Sequence, residues 1–462
     1  MQEIRESLAQ AAAFVWWPVL FLIIGGGLFF LAHSGFVQYK YFRHAILLIR
    51  GKYDEKNAPG QISAYKALST ALASTVGMGN LAGVAAAIAL GGPGAIFWMW
   101  ITALIGMSTN FYTSTLASLF RGKDSVGEIQ GGPMYVIREA LGKRWQPFAN
   151  FFCVCCMVGC LPIFQANQLT QALIDIGLKP MGFSEALIEG TSISTLKLSI
   201  GVLITIMASV VIIGGIQRIG NWAGRMVPAM IVLHFLSVSV ILINYADRIP
   251  YYIKLIFNEA FSPNHFHGDP FLGGLLGGII MLGVRRATFS NEAGLGTSPM
   301  AMGASKSNEP VREGLVSMLS PAIDTLLSCT FTALAILVTD VWQEDGASGI
   351  TLTALAYEKG FPFGGDLILL VCVFVFALSS LFSYSYYGRK ALAFMVGVKE
   401  SRWYDYLYIV TIILGAIVSM DVVLNLIDIA FALMAIPTMI SGFILAPKVK
   451  DAAKRYFNSI KR

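Results

Sequence analysis

STALASTVGMGNLAGVAAAIALGGPG, residues 69–94, is apolar enough to lie in lipid, yet it carries Gly77, Gly79 and Asn80 near its middle. A second stretch, GVRRATFSNEAGLGTSPMAMG at 283–303, repeats the pattern with Gly294, Gly296 and Thr297. Setting Val76–Asn80 beside Ala293–Thr297 aligns G-x-G followed by a small polar residue, at an offset of 217 residues. A lone G-x-G in an apolar helix often serves only close packing. Two in register, each flanked by Ser, Thr, Asn or Glu at presumed mid-membrane depth, predict two interrupted helices. An unwound turn bares N–H groups at the start of one half-helix and C=O groups at the end of the other. The first attract a carboxylate and the second can hold a hard cation. An amino-acid zwitterion and Na⁺ suit such a pair of ends.

Composition places those stretches in a bilayer. Of 462 residues, 56% are hydrophobic and 13% charged, with mean hydropathy +0.67. A soluble chain carries roughly 25% charged residues, so this one lacks the polar skin that water requires. Its 46 glycines fit close helix packing in lipid. The net charge of +6 is dispersed between apolar segments and forms no nucleic-acid patch. Cys153, Cys155, Cys156, Cys160, Cys329 and Cys372 all fall in apolar runs with no His, Asp or Glu beside the CVCCMVGC cluster, and read as packing residues. His234 reads the same way.

Eleven apolar runs emerge, at 14–33, 62–90, 93–120, 147–178, 196–216, 226–245, 270–300, 315–340, 365–396, 404–419 and 421–446. Each must be helix or broken helix, because lipid offers no partner to bare backbone groups. The first is span-length and follows Glu3 and Glu6, so it reads as a retained helix, not a cleaved leader. Assigning alternate loops to alternate sides puts 27 Lys and Arg on one side and 6 on the other, with Arg285 and Arg286 counted on the richer side. Basic loops stay in the cytoplasm. The N-terminus is therefore expected outside and the C-terminus inside, with Asp340, Glu344, Asp345, Glu358 and Asp366 outside. No hydrophilic stretch is long enough for a separate soluble domain. The division is an N-terminal helix and connection at 1–61, a core at 62–446 (repeats 62–245 and 270–446), and a basic tail at 447–462. The two breaks are five spans apart, an odd number, so the second copy enters from the opposite side as in an inverted repeat. The fold class is all-α.

Glu292 at the second break and Asp324 in the eighth run are ionisable groups at costly depth, about 2.5–3.5 kcal/mol each on insertion scales. Each is either a coupling or proton site or a structural partner for frayed backbone. Arg285 and Arg286, two turns before that break, form a candidate gate or counter-charge. No HExxH, no G-x-S-x-G and no paired His and Asp on adjacent apolar turns argue for an enzyme. A channel is a further alternative, but internal pseudo-symmetry around one central site favours a carrier.

The blocks STVGMGNLAGVAAAIALGGPGAIFWMW (74–100), GEIQGGPMYVI (127–137), FQANQLTQAL (164–173), FSNEAGLGTSPMA (289–301) and FALSSLFSYSYYG (376–388) resemble the alanine or glycine:cation symporter family. The resemblance runs from about 62 to 446 and is most specific at 74–100. It implies a LeuT-type five-plus-five core, with the first span as an extra helix, in a bacterial inner membrane. It implies import of a small neutral amino acid with Na⁺ as coupling ion and no organic cofactor. The pocket it implies lies between the second, fourth, seventh and ninth spans. Substrate contacts would come from Thr75, Gly77, Gly79, Asn80, Gln165, Gly294, Gly296 and Tyr384. Sodium would be held by the carbonyls of Ala73 and Val76 with the hydroxyls of Ser379 and Ser380. Tyr384 departs from the family's Trp, which leaves the size limit, and so alanine against glycine or a slightly larger substrate, open. Glu292 permits a proton-coupled alternative.

Overall fold

The computed structural model describes the chain except residues 1, 52, 54–57, 185, 189–192, 263, 266, 268–273, 345, 461 and 462. The start of the seventh run (270–273), Asp345 and the basic residues Lys52, Lys56, Lys461 and Arg462 therefore lie outside the described residues. The rest is almost entirely helical, as lipid demands of a chain whose backbone groups must bond within each segment. The helices are α1 (Gln2–His33), α2 (Phe42–Ile49), α3 (Ala64–Thr75), α4 (Val84–Gly91), α5 (Gly94–Leu119), α6 (Gln146–Gly159), α7 (Ile163–Ala172), α8 (Thr195–Ile212) and α9 (Gly215–Asn244). They continue as α10 (Ile249–Phe261), α11 (Gly274–Asn291), α12 (Thr297–Met302), α13 (Pro310–Ser317), α14 (Thr330–Val338), α15 (Ile350–Gly360), α16 (Gly365–Val396), α17 (Arg402–Ile417) and α18 (Met420–Ser459). Among the described residues eight helical stretches are long and apolar enough to cross a bilayer, and the bent pair of α3 with Gly79–Gly91 makes nine. The expected seventh and tenth runs correspond to α11 with α12 and to α17, whose 16 residues are short for a span.

Both predicted interruptions are present. Helix α3 stops at Thr75, and the chain re-enters through a wide turn at Gly79–Gly83 into α4, bent by 44°. Helix α11 stops at Asn291 and α12 starts at Thr297. Between them Glu292 has φ 55°, Gly294 φ 85° and Gly296 φ 101°, left-handed values that glycine adopts without a Cβ clash. Other interruptions were not anticipated. Cys160–Pro162 separates α6 from α7, where Pro162 cannot donate to a continuing ladder, and a wide helical stretch at Ala322–Cys329 follows Pro321.

Two expectations are corrected. The basic loop drawn at 217–225 is the opening of α9, which begins at Gly215 and carries Pro228 inside it; polar Arg218, Asn221 and Arg225 lowered the local hydropathy without ending the helix. Arg285 and Arg286 sit inside α11 on the far side of the break from Lys306 and Arg312, so they leave the richer side with 25 basic residues. The basic tail is helical, since α18 runs on to Ser459. Its last turns dock on α2, where Tyr41 stacks on Phe457 at 3.7 Å and the His44 ring bonds the Tyr456 hydroxyl at 2.7 Å. Burial, and secondarily the Arg312 charge, hold the His44 imidazole below its ordinary range.

The half-helices α3 and α12 are strapped together beyond their ends away from the breaks. Gln61 N–H donates to the Ala304 carbonyl at 2.8 Å and Lys306 N–H to the Ile62 carbonyl at 2.7 Å, in a parallel bridge of Ile62 with Ser305. Arg121, at the end of α5, donates to the carbonyls of Ser305 (2.8 Å), Ser307 (2.9 Å) and Pro59 (3.2 Å). Glycine makes the approach possible, because a Cβ on Gly60 would lie 2.3 Å from the Ser305 carbonyl oxygen. Gly60→Val is expected to destabilise the protein by about 1–3 kcal/mol through overpacking against Ser305 and Lys306. A lowered melting temperature in detergent checks this, and an unchanged one would show that the strap gives way freely.

Candidate functional site

The two breaks lie against each other. A Cβ on Gly79 would meet Ser290 Cα at 3.3 Å and the Phe289 ring at 3.5 Å, so α11 packs directly on the first break and even one added methyl would press on it. A Cβ on Gly77 would strike the Ser380 hydroxyl at 2.1 Å, which brings α16 to the other side of the first break. Thr75, Asn80, Gln165, Glu292, Ser380 and Tyr384 are all buried. The conformation is one in which these groups are sealed from water.

Side chains stand in for the missing helical bonds. Asn80 Oδ1 accepts from Gly77 N–H at 2.9 Å, and Asn291 Oδ1 accepts from Ala293 N–H at 3.0 Å. Thr438 on α18 donates its hydroxyl to the Leu295 carbonyl at 3.2 Å. Bare backbone ends are thereby satisfied at a depth where an unpaired one costs several kcal/mol.

Two carboxylates occupy the centre. Glu292 accepts from Tyr384 of α16 at 2.5 Å, from Ser74 of α3 at 3.3 Å and from Thr297 of α12. Its three donors come from three helices, so the break is where the two repeats and α16 meet. Asp324, in the wide stretch before α14, accepts from Asn80 Nδ2 at 2.7 Å and from the Ser290 and Thr325 hydroxyls at 2.8 Å each. Among the described residues neither carboxylate has a Lys, Arg or His partner. Buried charge is ordinarily paired or bound to a metal. Hydroxyl oxygens around a carboxylate are the ligand set of a hard cation.

The other expected residues fall as follows. Val76 ends α3, its N–H bonded to the Leu72 carbonyl at 2.7 Å, with Ala73 one turn inside. Ser379 and Ser380 both donate back to the Phe376 carbonyl at 3.0 Å, but Ser380 faces the break at Gly77, whereas Ser379 lies 3.5 Å from Met230 Sδ of α9. Thr75 bonds its own Ala71 carbonyl and lies 3.4 Å from the Ser320 hydroxyl. Gln165, just past the α6–α7 break, has its Oε1 buried with no partner among the described residues. The missing side chains of Gly294 and Gly296 would point at Met439 Sδ (3.1 Å) and at Pro133 Cγ (2.5 Å), which is scaffold packing. Arg286 lies with Asp428, away from Glu292. Sequence reading passed over Ser74, Ser290, Thr325 and Asp428, and named Thr297 only as part of the second break; an Asp two turns into the run 421–446 was a signal available to it.

One residue beyond Tyr384, Ser385 and Tyr386 open a cavity of about 260 Å³ bounded by Asp124, Gln130, Lys390 and Asp405. Lys390 donates to the Met300 carbonyl at 2.8 Å and to the Tyr386 hydroxyl at 3.1 Å.

Paired broken helices, packed side by side around buried polar groups, define a secondary transporter of the LeuT type. The solved structure of MhsT in complex with L-phenylalanine shares this fold, with a TM-score of 0.60, 14% identity, and coverage of 86% of this chain and 98% of that one. The profile of the sodium:alanine symporter family matches residues 1–462, and the chain belongs to that family. It is 37% identical to the sodium/alanine symporter AgcS of Methanococcus maripaludis over 460 residues, 97% of this chain and 96% of that one. It is 31% identical to the "Probable sodium/glutamine symporter GlnT" of Bacillus subtilis over 462 residues, 99% of this chain and 91% of that one. The chain is thus a multi-pass membrane transporter, a sodium-coupled amino-acid symporter and not an enzyme.

Tyr384→Phe strips Glu292 of the donor that α16 supplies, at about 1–3 kcal/mol for a buried acceptor left unmet. A double-mutant cycle of Tyr384→Phe with Glu292→Gln, read by detergent melting, is expected to give a coupling of about 1 kcal/mol or more. Additive effects would refute the bond.

Proposed function

We propose that the protein imports a small neutral amino acid together with Na⁺ by alternating access, in a bacterial inner membrane crossed eleven times, with the N-terminus outside and the basic tail in the cytoplasm. The observation that carries this reading is the pair of carboxylates, Glu292 and Asp324, buried at the two breaks among hydroxyls and without a basic partner among the described residues. A cation supplied with each turnover compensates such charge, which ties ion binding to the shape of the breaks. In this reading Asp324, Ser290 and Thr325 hold Na⁺, and Ser380 with the carbonyls of Ala73 and Val76 offers a further oxygen set, extended by Ser379 if it turns inward. The substrate carboxylate takes the N–H groups of Gly77–Gly79. Asn80 now caps Gly77, so substrate must displace that bond, a competition that couples occupancy to the bend. Gln165 Oε1, unpartnered, suits the ammonium group. Tyr384, its ring fixed by Glu292, limits side-chain size, which favours alanine or glycine; the names of AgcS and GlnT bracket the range to be assayed. The cavity beyond Ser385 is the release route.

Glu292 carries a second reading. A carboxyl that is fully buried with no basic partner among the described residues is also suited to taking up a proton, which removes the buried charge. Uptake into proteoliposomes under separate sodium and pH gradients decides between the two. A sodium gradient alone is expected to drive accumulation of alanine, and Asp324→Asn and Ser380→Ala to raise the sodium concentration needed for half-maximal rate about tenfold, a loss near 1.4 kcal/mol. Accumulation driven by the pH gradient alone, and lost in Glu292→Gln, would transfer the coupling to a proton.

A further inference from the structure

One buried charged cluster takes no part in the scheme above. Arg285 and Arg286 of α11 both donate to Oδ2 of Asp428 on α18, Arg285 at 2.5 Å. The indole N–H of Trp16 on α1 bonds the Asp428 carbonyl at 2.8 Å, which pins the extra helix to the same point. The side chains are 17%, 5% and 1% exposed for Arg285, Arg286 and Asp428. Two guanidiniums on one carboxylate leave a net charge of one positive. Nε and Nη1 of Arg286 and Nε of Arg285 have no hydrogen-bond partner among the described residues, and Asp428 Oδ1 is likewise unmet. The Phe289 ring covers the face of the Arg286 guanidinium, 5.3 Å from its centroid, which leaves the in-plane N–H groups unanswered.

Uncompensated positive charge at this depth is costly, and unmet guanidinium donors add to that cost. We propose that this cluster binds a monovalent anion, either free chloride or the carboxylate of the arriving amino acid. Guanidinium serves both, since it stays charged and donates several N–H groups in one plane. Position favours a link to transport, because the Phe289 ring lies under Arg286 and also stands where a Cβ on Gly79 at the first break would meet it at 3.5 Å. The carboxylate source rests on the symport reading; the chloride source does not.

The test uses the purified full-length protein, melted in detergent in sodium gluconate, an anion too large for a buried cluster, with chloride titrated in one arm and alanine in the other. At least one arm is expected to give a saturable rise in melting temperature. Its half-point is expected at least tenfold higher in Arg286→Gln, and lower than wild type in Asp428→Asn, where the net charge rises to two. A response to chloride assigns the free anion; a response to alanine alone, shifted in both variants, assigns the carboxylate. Half-points that neither variant moves, or no response in either arm, overturn the proposal. Should Arg286→Gln fail to fold, Arg286→Lys, which keeps the charge but loses the planar donors, takes its place beside Asp428→Asn. Melting requires no ion gradient, so a failure of sodium coupling would leave this result standing.

Discussion

Lipid cannot hydrogen-bond a peptide group, and every departure from regular helix in this protein is organised by that fact. Where α3 and α11 come undone, the freed groups are met by Asn80, Asn291 and Thr438 rather than by solvent. Each substitute bond comes from a side chain that has other attachments. Asn80 reaches Asp324, and Asn291 reaches the Thr325 hydroxyl at 3.0 Å. The breaks are therefore wired to the wide stretch at Ala322–Cys329, and a change at one is felt at the other.

The same constraint explains why the centre is built from hydroxyls and amides. A basic residue beside Glu292 or Asp324 would form a permanent ion pair, satisfied in every state and indifferent to sodium. Neutral donors stabilise the carboxylates enough to keep them buried but do not cancel their charge. That leaves room for a cation that arrives and departs. The cluster at Asp428 is the opposite case, where the positive groups outnumber the negative one.

Much of the architecture was written locally. Gly77-x-Gly79-Asn80 and Gly294-x-Gly296-Thr297 announced the interruptions because they recur in register with small polar residues beside them, which packing alone does not require. Apolar run length placed most helices. The wide turns and the break at Cys160–Pro162 were not legible, since Pro can kink a membrane helix or end it and its neighbours decide which. The start of α9 was misplaced because hydropathy measures exposure to lipid, and Arg218 and Arg225 can sit at a helix end without terminating it. The site itself was readable only in part. Asn80 with Asp324 and Arg286 with Asp428 are separated by 244 and 142 residues, and no spacing rule reaches that far. Ser379 and Ser380 show the limit well: adjacent in sequence, they face different helices.

The strap joining 59–62 to 304–307 sits at the end of the bundle where Arg121, Lys306 and Arg312 gather. Backbone bonds that come apart next to an aqueous phase are exchanged for bonds to water, so each forfeits only about 0.5–1.5 kcal/mol. The same bonds parted inside the bilayer would forfeit several times as much. Nature of the surroundings thus ranks the joints of the molecule: its cheapest parting line runs between the two half-helices at their wet ends, while their dry ends stay knotted around Glu292.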